Sequence, residues 1–227
     1  MKEILLILLV CCSSCDAQFW KRAIAPGPPT ADEVSKGLKE ALVQGTNKGT
    51  NLVSKVDGYF KNPEIKIPFP PDVKIVETKL RFLGMGKQVD DFVLSLNRAA
   101  EDAAKEASPI FVDAIQKMTI QDAAGILKGA DDAATQYLKK TTSPQLKEKF
   151  MPVVRRSLDK VNATKYYADI IGYYNKVPFV QPVNPDLAGY ATDMAIQGLF
   201  VMIAKEETLI RKDPVARTTD LLKKVFK

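Results

Sequence analysis

Acidic and phenolic side chains carry most of the chemistry this sequence could perform. It contains no histidine. That removes the Ser-His-Asp and Cys-His arrangements, histidine-ligated metal and the usual proton shuttle near neutral pH. The three cysteines, Cys11, Cys12 and Cys15, crowd into the first fifteen residues. If that stretch is removed, no thiolate nucleophile, zinc–thiolate site or disulfide remains. Carboxylates, lysines, tyrosines and hydroxyls are left. Asp131-Asp132 is the most prominent acidic pair. It could ligate a hard cation such as calcium, but the spaced ligands of a calcium loop are missing. Helix capping explains the pair better, with Asp131 or Asp132 starting a helix. Asp90-Asp91 reads the same way at its own helix start. No metal and no cofactor is expected. Tyr166, Tyr167, Tyr173 and Tyr174 form the best candidate binding surface, since paired tyrosines on one short helix cannot all face inward. Tyr137 joins them as a weaker candidate. Arg155-Arg156 and Lys139-Lys140 suit a solvated helix face. Nothing resembles a nucleic-acid footprint, because basic residues are not interleaved with aromatics.

The elements that would hold these groups are helices with written-in ends. In TIQDAAGILKGADDAATQYLKKTT, residues 119–142, Thr119 can cap a helix with Asp122 completing a capping box. Gly129 is expected to stop that helix in the left-handed conformation. A second helix then carries Ala133, Ala134, Tyr137 and Leu138, and the hairpin is expected at the centre of a helical domain. Its GADDAATQYLKK (129–140) resembles the signature of an uncharacterised, mostly bacterial family, domain of unknown function four-one-nine-seven. GLKEAL (37–42), NPEIKIPFP (62–70), LNRAAEDA (96–103) and RKDPVARTTDLLKKVF (211–226) carry the resemblance along nearly everything after Asp32. It implies a helical exported domain and brings no catalytic residues.

The rest of the chain fits an all-α reading. Of 227 residues, 46% are apolar and 26% charged, an ordinary globular composition. The formal charge is +6, spread among acids rather than clustered. Residues 1–17 read as a signal peptide, with Ile4 to Val10 too short to span a bilayer. The mature protein would begin at Gln18 and be secreted or periplasmic. The alternative makes Cys15 the lipid-modified first residue of a membrane-anchored lipoprotein. Residues 18–29 form a Pro/Gly-rich linker, and 30–227 a single helical domain.

Thr30 and Glu33 form a capping box for a helix to about Val56, whose apolar face includes Gly45 and Gly49. Residues 62–70 and 177–182 are expected to be extended, because residues before proline avoid the helical region, and could pair as a small ribbon. Pro71 opens a helix with Val73, Val76, Leu80 and Leu83 inward and Gly84 as its stop. Gln88 to Ala107 is a helix, restarted by Ser108-Pro109. Ser143-Pro144 is expected to open another, Asn184-Pro185-Asp186 a long one, and Asp213 the last. Asn162 lies in a single glycosylation sequon.

Three functions are compatible with these features. The first is a non-catalytic, exported binding or scaffolding domain, read as a monomer, with an unknown protein partner. The second is a carrier holding a small apolar ligand between helices near Gly45, Gly49 and Gly198. The third is a hydrolase or lyase using carboxylates and Tyr137.

Overall fold

The computed structural model describes residues 30–213 and Lys223. Among the described residues there are eight α-helices and no strand. They are α1 (Ala31–Val53), α2 (Lys74–Phe82), α3 (Gly86–Ala104), α4 (Ala107–Gln116), α5 (Ile120–Lys128), α6 (Ala133–Asp159), α7 (Ala163–Tyr174) and α8 (Leu187–Lys212), with a 3-10 turn at Pro71–Val73 before α2. The expected leader, linker, Cys15 and last helix lie outside the described residues.

One apolar core joins all eight helices, with α6 and α8 running through its middle. α8 is long and apolar enough to cross a membrane by composition, yet here it is a core helix packed on α1, α3, α6 and α7. Glycines of α1 and of α8 itself explain how closely it packs. Gly45 faces the Ile210 side chain and Gly49 faces Ile203. Gly198 receives Tyr59 and Ile65, whose atoms lie 2.7 and 3.1 Å from where a Cβ would stand. Neighbouring side chains thus pack against all three glycines expected to border a ligand.

The local signals hold where both partners are near in sequence. Thr30 with Glu33 and Thr119 with Asp122 form complete capping boxes. Gly84 takes φ +83°, as its role as a stop requires. Asp186 caps α8 by accepting the Gly189 N–H, while Asn184 accepts from Asp186 N–H just outside the helix.

Other expectations fail for identifiable reasons. α1 stops at Val53, and Val56 is exposed. Leu83 is 71% exposed rather than inward, because α2 has ended at Phe82. Gly129 lies at φ −79°, ψ −172°, extended rather than left-handed. Its small size is needed instead for proximity, since a Cβ there would meet the Ala133 Cβ at 2.7 Å. Asp131 bridges to Lys212, and Asp132 makes no capping bond with its side chain. The cap of α6 comes from α8: Glu207 accepts the N–H groups of Ala134 (3.0 Å) and Thr135 (2.8 Å), and the Thr135 hydroxyl. Ser143-Pro144 opens no helix. α6 continues through Pro144 and Pro152, and the Ser143 hydroxyl donates to the Lys139 carbonyl. Burial of Leu138, Leu146 and Phe150 outweighs the hydrogen bond each proline removes. Asp213 ends α8, and the helix it is expected to open lies outside the described residues.

The proline strap at 62–70 crosses the helices as expected, with Ile65, Ile67 and Phe69 buried. It pairs with no second strap. The Asn97 side chain of α3 takes that place, accepting the Ile67 N–H and donating to the Ile67 carbonyl, both at 2.8 Å. Next to it, Glu101 accepts the Tyr59 and Phe60 N–H groups and pairs with Arg98 at 2.6 Å. Arg98 also reaches Asp57, which sits at φ +70°.

Candidate functional site

A cleft of about 650 Å³ opens between α3 and α7. Its position follows from how those helices are anchored. The Ser157 hydroxyl near the end of α6 donates to Asp102 late in α3. The rings of Tyr167 and Phe92 stack at 6.1 Å further along. Met85, just before α3, and Tyr173, at the end of α7, line the same cleft. α7 therefore runs antiparallel to α3, and the strap closes the inner end with Phe69, 5.1 Å from Phe92.

The result is a floor of Phe69, Val89, Phe92, Ala163, Tyr167 and Ile170, with Leu80, Met85 and Val161 at the edges. Polar groups are few: Gln88, Asp91, Ser95 and Asp169, besides the tyrosine hydroxyls. The Ser95 hydroxyl is spent on the Phe92 carbonyl of its own helix. Burial pushes the Tyr167 phenol up to about 12, helped by the nearby Asp72 carboxylate and by Tyr190. This phenol stays neutral throughout the physiological range. A groove of this volume and lining has the size and character of a small-molecule site.

Three of the five tyrosines singled out in the sequence meet here. Tyr167 is buried in the floor, while Tyr166 and Tyr173 stand at the rim, 60% and 74% exposed. Tyr174 packs partly buried against the core and does not line the cleft. Tyr137 is also partly buried on the core, where burial and the Asp122 carboxylate raise its pKa. Asp90 pairs with Arg81 and Asp91 with Lys87. Among the described residues, no group of three or more acids could hold a metal ion. Asn162 is exposed at φ +54°, immediately before α7, and the hydroxyl of its sequon residue Thr164 bonds to Asp159. Arg155 lines a shallow surface groove along α6 with Pro144, Lys147 and Met151.

The reading of tyrosines missed Phe69 and Phe92, which make the floor. It also missed Asn97, Glu101 and Glu207. Those three had a signal: each is a polar residue inside an otherwise apolar helical stripe, and such a residue needs a specific partner.

No curated protein and no solved structure matches the chain. A family described as Protein of unknown function (DUF4197) matches residues 28–227. With nearly the whole chain covered, and with the motifs at 37–42, 62–70, 96–103, 129–140 and 211–226 inside the match, this protein belongs to that family.

Proposed function

We propose that this chain is an exported, non-catalytic binding protein that carries a small apolar ligand in the α3/α7 cleft. The observation that carries this reading is the cleft itself: an open, apolar, aromatic-floored groove in which three tyrosines converge. Apolar surface left exposed in one contiguous groove is generally kept for a ligand or partner. The buried carboxylates support a structural rather than a chemical role. Glu77 is held by Lys74 and Arg81, Glu101 by Arg98, Glu206 by Lys48 and Glu207 by Arg211, and none of the four lines the cleft.

The test is a fluorescence titration with N-phenyl-1-naphthylamine, an apolar dye that brightens when it leaves water. The wild type should bind it saturably. Ser95→Trp, which fills the groove from a half-buried position, should weaken binding about five-fold or more, the effect of losing about 1 kcal/mol of contact. Absence of saturable binding to the wild type would overturn the proposal.

A further inference from the structure

The cleft has a charge asymmetry that specifies its occupant more narrowly. Its lining contains no lysine or arginine, although the chain as a whole carries +6. The only formal charges in the lining are Asp91 and Asp169. Asp91 is offset by Lys87 at 2.5 Å on its own helix. Asp169 is exposed and forms no ion pair among the described residues, even though Lys165 lies one turn before it on α7.

Tyr166, Asp169 and Tyr173 follow the i, i+3, i+7 spacing that places residues on one helix face. All three line the cleft, so an unpaired carboxylate stands between two exposed phenol rings at its rim. Ring faces attract cations through their quadrupole. The Lys176 ammonium demonstrates this locally, lying 5.6 Å from the centre of the Tyr173 ring.

Building on the carrier reading, we infer that the ligand is a free single-chain amphiphile with a cationic head. Its chain lies on Phe69, Val89, Phe92 and Ile170. Its ammonium group sits at the rim, against Asp169 and the face of Tyr166, since the Tyr173 ring already has the Lys176 ammonium. An anionic head beside Asp169 would meet a carboxylate that no lysine or arginine of the lining offsets. The positive charge of the protein as a whole favours the opposite head group, so selectivity for a cation would have to come from the cleft.

The experiment compares amphiphiles with the same twelve-carbon chain, below their micelle concentrations, as competitors of the naphthylamine dye. Dodecyltrimethylammonium should displace the dye at about one-fifth the concentration that dodecanoate needs, the size of effect an exposed ion pair with cation–π support can give. Asp169→Asn should shrink that preference to about two-fold or less. Asp193→Asn removes the same charge outside the cleft, where it pairs with Lys147, and should leave the preference intact. Equal competition, or stronger competition by dodecanoate, overturns the cationic head while leaving the carrier reading in place. Displacement by neither competitor, with the dye still bound, also overturns it. Failure of the wild type to bind the dye removes both readings together.

Discussion

Two helix pairs in this molecule solve the same packing problem differently. Along α1 and α8, glycines stand opposite large side chains, Gly45 by Ile210 and Gly49 by Ile203, and Gly198 of α8 likewise receives Tyr59 and Ile65 of the segment after α1. The backbones approach closely and the seam is closed. Along α3 and α7, both helices bring rings to the contact. Phe92 and Tyr167 stack, Tyr166 and Tyr173 stay outside, and about 650 Å³ remains between the helices. Both pairs have apolar stripes of helical spacing. What separates a core seam from a binding groove is the distribution of size across the contact, because ridges close onto grooves only where small residues receive large ones.

The most damaging break should come on α8 itself, at Glu207, where it holds the start of α6. Glu207→Ala removes one carboxylate partner of Arg211 and leaves two buried N–H groups of α6 without that acceptor. A loss of about 3–5 kcal/mol, typical of removing one partner of a buried pair, should appear in urea denaturation. Next is Gly198→Leu, which forces a side chain into atoms already 2.7 Å from the Cβ position. The expected cost is about 1–3 kcal/mol or more by overpacking. The groove should tolerate what the seam does not: Ser95→Trp, from a half-buried position facing open space, should cost no more than about 1 kcal/mol, near the centre of the range for point substitutions. A large destabilisation by Ser95→Trp would mean that the groove is not open in solution.

A glycine on the open side sharpens the contrast further. A Cβ at Gly172 in α7 would meet nothing within 4 Å. Gly172→Ala should therefore stabilise the protein by about 0.5–1 kcal/mol, the difference in helix propensity, measured as a rise in melting temperature. The same substitution at Gly198 should destabilise.

The smallest effect belongs to the exposed capping box at the start of α5. The Thr119 N–H, and then its hydroxyl, hold the Asp122 pKa below its ordinary value. A carboxylate depressed in the folded state contributes stability above its unfolded pKa and loses it as pH falls through the folded one. Asp122→Asn should therefore cost a little stability at neutral pH and converge with the wild type in acid, which flattens the acid limb of the stability–pH curve. An equal or larger cost at acid pH would contradict this role.

Much of the fold was legible because its signals are local. A capping box at Thr30 or Thr119 needs only four consecutive residues. The start of α6 was not legible in the same way. Two aspartates stood where a cap was wanted, but the N–H groups are satisfied by a carboxylate more than seventy residues away. Gly129 was singled out correctly and explained wrongly: periodicity marks a helix end, while the reason for glycine there is an atom of Ala133 that only the folded chain brings near. The candidate site was half legible. Tyrosine spacing identified the α7 side, but nothing in sequence tied Phe69 of the strap and Phe92 of α3 to it. Periodicity says which face of a helix is apolar; it does not say how far away the opposing face stops.

The reach of Glu207 also has a kinetic side. The first turn of a helix ordinarily frays by itself, and its amide protons exchange with solvent quickly. In α6, the amides of Ala134 and Thr135 are held by α8 and buried. They can be released only when α8 lifts away from the core. Their exchange would then follow a large cooperative opening rather than terminal fraying. Two protons at a helix start would thus serve as a clock for the unlatching of the molecule's central helix.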